Sequence, residues 1–542
     1  MNDNFCWWRD GIIYQIYPRS FADSNGDGIG DLQGIISKLG YLNELGIDAI
    51  WFSPFYPSPE IDFGYDISNY LDVDPRFGTL ADFDELITTA HTFGIRVVLD
   101  MVANHTSDQH AWFIESRSSR ENPRRDWYIW KDGAGSGRPP NNWKSCFGGS
   151  SWEYDACSRQ YYLHTFATQQ PDVNWRNPQL RKALLDVFRF WLDRGADGFR
   201  LDVFNAYFKD EHFQNNPGQL GLRDYDQQKH IHDMDQPEMI PLLQELRTLM
   251  DEYPERYTVG EIFLPTPEKT VHYTGNDLLH AAFSSDLIES ELIFPWSAGW
   301  VAQKINKRDN LFDSAGIWPT TMLSNHDKPR TASRYVKGEN DDQAFTAMAV
   351  LLTVRGTPFI YYGEEIGMRN ISLKRNEIMD PPGQKYWPIY QGRDGFRSPM
   401  QWRDAPFASF STTKPWLPVH SNYHQRNVAS QQENPQSLWN FTRQLIALRR
   451  AYPALRRGSF HIFFRTDTGV MAYERKLDEQ RILVCINFSS SMRQVEFIPD
   501  ADPKLAAILI SSAGRKDFYT SHNQFMLNPH EVLLLELKPG MV

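Results

Sequence analysis

The sequence predicts an α/β protein built on a (β/α)8 barrel, with a small subdomain inserted after the third strand and an antiparallel β domain at the C-terminal end. Eight short apolar runs recur between residues 11 and 365, separated by amphipathic helical stretches. These runs are almost continuously apolar, as parallel strands buried on both faces should be. The alternative is an open doubly wound sheet, but no GxGxxG turn supports a dinucleotide-binding version of it.

The predicted strands and helices follow one another in barrel order. The strands are GIIYQIYP (11–18), DAIWFSP (48–54), RVVLDMV (96–102), DGFRLDV (197–203), YTVGEI (257–262), LLHAAFSSDL (278–287), WPTTMLSN (318–325) and TPFIYYGEE (357–365). Helices are predicted around 32–45 and 80–93. A third helix precedes the fourth strand, where a 3.6-residue period places six apolar side chains on one face, namely Leu180, Leu184, Val187, Phe188, Trp191 and Leu192.

Two intervals are too long to be simple connections between strand and helix. Residues 104–175 are rich in Trp, Gly, Pro and Asn and are predicted to form the inserted subdomain. Residues 367–422 form a long loop after the eighth strand. The catalytic barrel therefore covers 1–103 and 176–455. Beyond it, 456–542 contains β-rich runs without intervening helices, which predicts a C-terminal β-sandwich.

Composition limits the partners and the compartment. The chain has 542 residues and a net charge of −12, so binding to nucleic acid is not expected. The longest near-apolar run, Ala344–Val354, is too short to span a bilayer, and no secretory signal is visible. The four cysteines match neither a zinc site nor a disulfide framework, although Cys146 and Cys157 could bridge across a loop. We expect a cytoplasmic protein without a membrane partner.

Three acidic residues follow predicted strands. Asp202 ends GFRLD, Glu261 ends TVGE, and Asp327 follows the seventh strand in SNHD. An acidic residue in such a place is often only a helix cap. In a barrel, however, all three would meet at the C-terminal face, where barrel enzymes keep their active sites. Together they predict an active site built from carboxylates.

Several segments carry a family resemblance. DMVANH (100–105), GFRLDVFN (198–205), VGEI (259–262), SNHD (324–327) and QPDVNW (170–175) resemble the five conserved regions of the α-amylase superfamily, family 13 of the glycoside hydrolases. DFGYDISNY (62–70), PPNNW (139–143) and GRDGFRSPMQW (392–402) are similar to segments of its oligo-1,6-glucosidase and α-glucosidase branch. The resemblance covers nearly the whole chain and implies a glycosidase acting on α-linked glucose.

The resemblance also implies a retaining mechanism. Asp202 would be the nucleophile that forms a glucosyl-enzyme, and Glu261 the acid that protonates the leaving oxygen and then the base for water. Arg200 lies on the same strand face as Asp202 and is expected to keep it ionised. The pKa of Glu261 should be raised by burial and negative charge. Asp327 would bind sugar hydroxyls and favour the distorted ring.

The resemblance further implies a glucose pocket with a closed end. His105 and His326 would hydrogen-bond the bound glucose, with a purely structural histidine as the alternative for each. Asp62 and Arg397 would grip the terminal hydroxyls while Tyr65 stacks under the ring, so that one unit is removed at a time from the non-reducing end. The aromatic walls would be Phe147 and Phe166, for which packing within the inserted subdomain is an equal alternative.

DSNGDGIGD (23–31) predicts a structural cation. Oxygen ligands alternate along it, from Asp23, Asn25, Asp27, the Ile29 carbonyl and Asp31, and such ligands suit Ca2+ or Mg2+. It is not an EF-hand, since the twelfth position is Gly34. It matches the metal loop of this family branch, where the ion is structural and far from the chemistry. The alternative is a Gly-Asp turn without a metal. No organic cofactor is expected.

The function expected is exo-hydrolysis of short α-glucosides, with transglucosylation. Val203 directly follows the nucleophile, and in this branch Val there accompanies α-1,6 activity whereas Thr accompanies α-1,4 activity. Alternatives are a glucosyltransferase or sucrose-isomerising enzyme of the same family, although the Arg-rich loop of the isomerases is not visible near 328–340. A non-catalytic transporter heavy chain is a remote alternative, because all three carboxylates are present. The oligomeric state is expected to be a monomer or homodimer.

Overall fold

The computed structural model describes residues 5–288, 296–335, 341–463, 469–496, 506–517 and 524–537. Numbered in chain order, its strands are β1 (Ile13–Ile16), β2 (Ala49–Phe52), β3 (Arg96–Met101), β4 (Trp130–Lys131), β5 (Trp152–Asp155), β6 (Gln160–Leu163), β7 (Gly198–Leu201), β8 (Tyr257–Gly260), β9 (Ala281–Ala282), β10 (Thr320–Met322), β11 (Thr357–Tyr361), β12 (Ser459–Phe463), β13 (Val470–Leu477), β14 (Gln480–Asn487), β15 (Arg493–Glu496), β16 (Ala506–Ser511), β17 (Gln524–Leu527) and β18 (Val532–Leu537).

The helices of the described chain lie mainly between the strands of the core sheet. They are α1 (Trp7–Asp10), α2 (Pro18–Phe21), α3 (Leu32–Ile36), α4 (Leu39–Leu45), α5 (Leu80–Thr92), α6 (Ala111–Ser118), α7 (Pro178–Asp193), α8 (Met239–Asp251), α9 (Pro267–Tyr273), α10 (Ala298–Ala315), α11 (Thr331–Tyr335), α12 (Asp342–Thr353), α13 (Pro381–Tyr386), α14 (Val428–Glu433), α15 (Leu438–Ala451) and α16 (Pro453–Arg457).

The core sheet is a nearly closed parallel barrel. Its eight strands run in the order β10-β11-β1-β2-β3-β7-β8-β9, and each pair of neighbours is parallel. The outer strands β9 and β10 are linked through one side chain. Thr320 Oγ1 accepts the Ser284 amide at 2.9 Å and donates to the Ala282 carbonyl at 3.1 Å. The barrel fold is confirmed, and each predicted run contains one of its strands.

Helix α7 shows how the sequence specifies the outer layer. Asn177 accepts hydrogen bonds from the amides of Gln179 and Leu180, and Pro178 occupies the first helical position. The helix buries the six side chains predicted from the apolar period, Leu180, Leu184, Val187, Phe188, Trp191 and Leu192. Burying such a face against a sheet contributes roughly 1.5–3 kcal/mol for each large side chain.

Three smaller sheets accompany the barrel in the described part of the chain. The antiparallel strands β4, β6 and β5 lie within the predicted insertion at 104–175. The five-stranded sheet β12-β13-β14-β18-β16 and the antiparallel pair β15-β17 lie toward the C-terminal end. Arg475 on β13 is fully buried and donates to the Thr353 carbonyl of α12 at 2.6 Å, which fastens this sheet to the barrel. All four cysteines are free, so the possible Cys146–Cys157 bridge is absent. Across the described ranges we found no helix with the length and apolar character needed to cross a membrane.

Candidate active site

The ends of three barrel strands deliver the predicted acidic residues to one face. The Asp202 amide continues the ladder from β7 by donating to the Met101 carbonyl at 3.1 Å, and the Glu261 amide donates to the Leu201 carbonyl at 2.9 Å. Asp327 lies in the turn after β10, where its amide donates to Asn325 Oδ1 at 2.9 Å. The ladder bonds fix the backbone next to both reactive carboxyls, so these side chains are positioned by the barrel itself.

Arg200 is the charged centre of this face. Its guanidinium is fully buried and donates from Nη1 to Asp100 Oδ1 and to Asp202 Oδ1, both at 2.6 Å, while Nη2 contacts Glu261 Oε2. Its Cζ atom also lies 5.3 Å from the centroid of the Trp51 ring. One cation therefore holds the two predicted catalytic carboxyls beside each other, and these carboxyls share a hydrogen bond.

Burial, together with mutual repulsion, raises the pKa values of the carboxyls around Arg200. Burial raises the pKa of Glu261 to about 8, and the negative charges of Asp202 and Asp327 add to this against the pull of Arg200. The pKa of Asp100 rises to about 7 for the same reason, with burial as the largest cause. Glu261 thus holds its proton at neutral pH, which matches the expectation for a general acid.

Opposing influences act on Asp202. Burial raises its pKa to about 7, with Asp100 adding to the rise and Arg200 opposing it. Arg200 therefore favours the ionised form of Asp202, in the direction expected from the sequence, while it also contacts Asp100 and Glu261.

Asp327 is surrounded by basic side chains. Burial raises its pKa, but contact with His326 and the guanidinium groups of Arg393 and Arg397 hold that pKa well below its usual range. Arg393 Nη1 lies 3.2 Å and Arg397 Nη2 2.9 Å from Asp327 Oδ1. Arg393 Nη2 also contacts Asp62 Oδ1 at 2.6 Å. These ion pairs join Asp62 and Arg397, the residues of the predicted closed end, into one network with Asp327 and Arg393.

Arg393 is the residue that sequence reasoning missed. It lines the cavity, and Asp380 also anchors it, at 2.6 Å from Nη2. The segment GRDGFRSPMQW predicts Arg397 as the arginine that binds the terminal glucose together with Asp62. Arg393 and Arg397 are four positions apart in an irregular loop, where no periodicity tells which side chain points inward. The carboxylates that select Arg393, Asp62 and Asp380, are brought to it only by the fold.

These groups surround a cavity of about 310 Å³, large enough for a small ligand. Most of the predicted site residues line it, namely Asp62, Tyr65, His105, Phe147, Phe166, Asp202, Val203, Glu261 and Asp327. Aromatic rings form one wall. The ring centroids of Phe147 and Phe166 are 5.7 Å apart, and those of Phe166 and His105 are 5.1 Å apart. Phe147 and Phe166 are therefore cavity walls as well as packing residues of the insertion.

Three predicted binding residues lie behind this lining. Arg200, His326 and Arg397 are fully buried. His326 Nε2 lies 2.5 Å from Tyr65 Oη and 3.1 Å from Asp327 Oδ2, and its Nδ1 meets Gln15 Nε2 at 2.7 Å. Both ring nitrogens of His326 thus face protein partners, whereas Arg397 uses Nε and Nη2 for the His326 carbonyl and Asp327 and has no hydrogen-bond partner at Nη1 among the described residues. These contacts orient Tyr65 and Asp327, and direct contact of either residue with glucose stays a prediction.

His105 lies in the lining but is also engaged. Its Nε2 contacts the Tyr65 carbonyl at 3.1 Å, and its Nδ1 faces Asn104 Nδ2 at 3.2 Å. Burial lowers its pKa, so the ring is neutral near pH 7. Gln170, from the predicted fifth region, lies 3.1 Å from His105 Nε2 and donates to Asp62 Oδ2 at 3.2 Å. This bridge couples the histidine to the closed end of the cavity.

Comparison with known proteins agrees with this geometry. The family model for the α-amylase catalytic domain matches residues 15–458. The chain belongs to the α-amylase family, glycoside hydrolase family 13. It is 43% identical over 498 residues to a probable α-glucosidase of Rhizobium meliloti, covering 89% of each chain, and 39% identical over 515 residues to an oligo-1,6-glucosidase of Parageobacillus thermoglucosidasius, covering 89% of this chain and 90% of that one.

Solved structures of this family include transferring and isomerising members. An α-glucosyl transfer enzyme, XgtA, superposes with a TM-score of 0.92 at 39% identity, covering 99% of this chain and 100% of that one. The trehalulose synthase MutB of Pseudomonas mesoacidophila superposes with a TM-score of 0.90 at 36% identity, covering 98% and 99%. Membership of this family makes the protein a glycoside hydrolase. Whether the cleaved sugar passes to water or to another sugar depends on features beyond the shared fold.

The predicted metal loop of this family member is held together by its own hydrogen bonds. Both carboxylate oxygens of Asp23 accept backbone amides, from Gly26 at 2.7 Å and Gly28 at 2.8 Å. Asp31 caps α3 through the Gly34 amide at 2.6 Å. Within the described ranges, no three His, Cys, Asp or Glu side chains are arranged to hold a metal ion. The loop offers oxygen donors of the type that Ca2+ prefers, so a bound cation remains a prediction. A turn without a metal remains the alternative.

Proposed function

We propose that the protein is a retaining, exo-acting α-glucosidase that removes terminal α-linked glucose from short oligosaccharides. The observation that carries this proposal is the pairing of Asp202 and Glu261 on the single guanidinium of Arg200, both in the lining of one cavity. Retaining glycosidases need two carboxyl groups close together, one ionised and one protonated. The raised pKa of Glu261 supports the acid role for it, and the family resemblance supports Asp202 as the nucleophile.

The reaction follows from these roles. Asp202 attacks the anomeric carbon while the Glu261 proton moves to the leaving oxygen, which produces a glucosyl ester on Asp202. Loss of that proton leaves Glu261 as a carboxylate, which then takes a proton from the incoming water. Asp327 stays ionised throughout and stabilises the positive charge that develops on the sugar ring.

The closed end supports exo action. Arg393 joins Asp62 and Asp327 where a longer chain would have to continue, with Nη–Oδ distances of 2.6 and 3.2 Å. Bidentate guanidinium and carboxylate groups in a buried site suit the hydroxyls of a terminal sugar. We expect these side chains to leave no room for a further unit beyond a glucose bound there, so that cleavage releases one glucose at a time.

The linkage proposal rests on Val203 and the relatives. Val203 is buried in the cavity wall directly after the nucleophile and offers no hydrogen bond to the leaving sugar. Several relatives are named oligo-1,6-glucosidases, among them that of Bacillus cereus at 36% identity. We therefore favour isomaltose-type substrates. Transfer of the glucosyl group to another sugar is the second candidate, favoured by the similarity to an α-glucosyl transfer enzyme over 99% of the chain.

Azide separates the two carboxyl roles. In Glu261→Ala, azide should intercept the glucosyl-Asp202 ester and give α-glucosyl azide, whereas in Asp202→Gly it should attack the substrate directly and give the β-anomer. The opposite pairing of variants and anomers would contradict the assignment.

Product analysis of the wild-type enzyme on isomaltose, maltose, sucrose and trehalose tests the linkage preference. Glucose from isomaltose without longer products supports hydrolysis, while accumulating oligosaccharides or isomerised sucrose support the transfer candidates.

A further inference from the structure

Asp327 lies in a turn after β10, so the ladder of the sheet does not by itself fix its position. The turn belongs to residues 324–331, which end at the first residue of α11 and contribute Asn325, Asp327 and Lys328 to the cavity lining. Asn325 accepts the Asp327 amide at Oδ1, at 2.9 Å, and the Lys328 amide at its carbonyl, at 3.3 Å. These bonds make the turn compact, so the anchoring of its two ends determines where Asp327 lies.

One buried carboxyl group contacts both ends of this segment. Glu364 Oε1 accepts the Ser324 hydroxyl at 2.6 Å, at the start of the segment, and also accepts the Thr331 hydroxyl, at its end. Glu364 Oε2 accepts the amide of Tyr361, the last residue of β11, at 2.9 Å. All four residues are buried. A single side chain therefore ties the two ends of the Asp327 segment to the neighbouring strand of the barrel.

The local sequence explains why Glu364 reaches back to its own strand. Gly363 has a φ of 83°, in the left-handed region that glycine adopts without steric cost. A β-carbon at this position would overlap Met368 Sδ. The turn at Gly363 reverses the chain directly after β11 and returns the Glu364 carboxyl group to the Tyr361 amide. The glutamate is thus held on the barrel itself and not on a free loop.

The contacts of Glu364 suit an anchor that fixes direction as well as distance. Its three partners are all donors, and hydrogen bonds to a carboxylate are roughly twice as strong as those between neutral groups. Burial raises the pKa of Glu364, while the hydrogen bonds from Ser324, Thr331 and Tyr361 oppose this rise. Glu364 is not part of the lining that the described residues form around the cavity. Any effect it has on the reaction must therefore act through the segment.

Other contacts hold single points of the same segment. Arg397 Nε donates to the His326 carbonyl at 2.8 Å, beside Asp327. Arg330 Nη1 donates to the Tyr362 carbonyl at 2.7 Å, near the end of the segment. Glu364 differs from both, because it joins the start of the segment to its end. Loss of either hydroxyl contact would free one end and let the turn shift as a unit.

We propose that Glu364 is a positioning residue which, by binding Ser324 and Thr331, sets the place of the Asp327 carboxylate against the bound glucose. This proposal rests on the α-glucosidase function proposed above, in which Asp327 stabilises the charge that develops on the sugar ring. Displacing a group of this kind by about 1 Å lowers the rate by about a hundredfold. The two hydroxyl contacts should therefore matter for turnover although neither hydroxyl touches the substrate.

The two hydroxyls can be removed with little change of shape. Ser324→Ala and Thr331→Val should each lower kcat/KM on isomaltose by about tenfold, and the double variant by about a hundredfold. Thr331→Ser keeps the hydroxyl and should stay within about threefold of the wild type. Thermal unfolding shows which proteins are folded at the assay temperature, and if Ser324→Ala is not, Thr331→Val carries the test. Unchanged kcat/KM in the folded variants would overturn the proposal.

Glu365→Gln is the matched control. Glu365 is the next residue and is equally buried, but its carboxyl group accepts from Tyr14 and Tyr41 and not from the 324–331 segment. Its kcat/KM on isomaltose should stay within about twofold of the wild type. A loss as large as that of Thr331→Val would show that disturbing any buried carboxyl group after β11 lowers activity, which would refute a specific role of Glu364.

A second background separates positioning from a general structural role. The double variant Ser324→Ala/Thr331→Val is compared with its parent in the wild type and in Asp327→Asn, with 2,4-dinitrophenyl α-glucoside as substrate in both. If the hydroxyls act through Asp327, the loss should shrink from about a hundredfold to less than about threefold when Asp327 is replaced. The same loss in both backgrounds would contradict the proposal, since the hydroxyls would then act without Asp327.

Ligand binding distinguishes failure of this proposal from failure of the α-glucosidase function. The dissociation constant of 1-deoxynojirimycin, a cationic analogue of glucose, is measured by calorimetry without turnover. If no α-glucoside were cleaved, but the double variant bound this ligand about tenfold more weakly than the wild type and Glu365→Gln, the α-glucosidase would fail and the positioning role would stand. Cleavage of isomaltose with equal kcat/KM and equal dissociation constants in all three proteins would refute the positioning role alone.

Discussion

Glu365 makes the stability of the barrel depend on pH. It follows β11, is fully buried, and accepts hydrogen bonds at Oε1 from Tyr14 at 2.8 Å and Tyr41 at 2.6 Å. Its Oε2 atom has no hydrogen-bond partner among the described residues. Burial therefore raises the pKa of this carboxyl to about 7 from an ordinary value of 4.5. The folded state holds a proton here that the unfolded chain releases at lower pH.

The direction and size of the effect follow from that difference. Because the folded pKa is raised, the contribution to stability is fully present below pH 4.5 and is lost as the pH rises to about 7. A pKa difference of this size corresponds to roughly 3 kcal/mol in total, most of which falls between pH 5 and 8. Glutamine imitates the protonated acid and cannot ionise. Relative to the wild type, Glu365→Gln should therefore gain roughly 2–3 kcal/mol between these pH values.

Urea unfolding at pH 5, 6.5 and 8 measures this gain as the difference in free energy of unfolding between variant and wild type. Glu433→Gln, at an exposed position on α14, is the control and should show no such trend. Any constant cost of replacing the carboxyl group cancels, because only the change with pH is compared. A difference that stays constant from pH 5 to pH 8 would refute the argument that burial holds Glu365 protonated.

Three further predictions concern the site and the loop. Arg393→Met should remove the ion-pair partner of Asp62 and lower kcat/KM on isomaltose by roughly a hundredfold, with partial recovery in Arg393→Lys. Equal activity in all three proteins would contradict the closed-end role. The wild-type kcat/KM on isomaltose should fall as the pH rises through about 8, where Glu261 loses its proton, and this fall should be absent on 2,4-dinitrophenyl α-glucoside, whose leaving group needs no acid. The same fall on both substrates would contradict the acid role of Glu261. Chelation should lower Tm if residues 23–31 bind a cation, with recovery by added Ca2+; an unchanged Tm supports the metal-free turn.

The barrel could be predicted from the sequence because its signals are local and repeated. Each strand is a short apolar run, and α7 shows its buried face as a 3.6-residue period. The weakest prediction, 278–287, contains only the two-residue strand Ala281–Ala282, which closes the sheet through a threonine side chain rather than a full ladder. The predicted helix around 32–45 is divided into α3 and α4.

Site residues at the ends of strands could be predicted from the sequence more readily than site residues in loops. Asp202 and Glu261 directly follow strands, so their position at the C-terminal face follows from topology. Arg393 lies in the loop after β11, and its role depends on Asp62 and Asp380, which are distant from one another in sequence. No property of GRDGFR by itself distinguishes Arg393 from Arg397. That distinction requires the three-dimensional positions of the carboxylates.

The protonation states of the carboxyls in the site depend on how many charged groups meet there, which only the fold reveals. The sequence places Arg200 two residues from Asp202 and so suggests a simple ion pair, but the barrel adds Asp100 and Glu261 to the same guanidinium. Asp327 contributes further negative charge nearby, and burial together with these charges raises the pKa of Glu261 against the pull of Arg200. In the proposed mechanism, the raised pKa favours the protonated acid before substrate arrives. The same carboxylates would stabilise the positive charge that develops on the sugar ring, so one electrostatic arrangement would serve both protonation of the leaving group and the transition state.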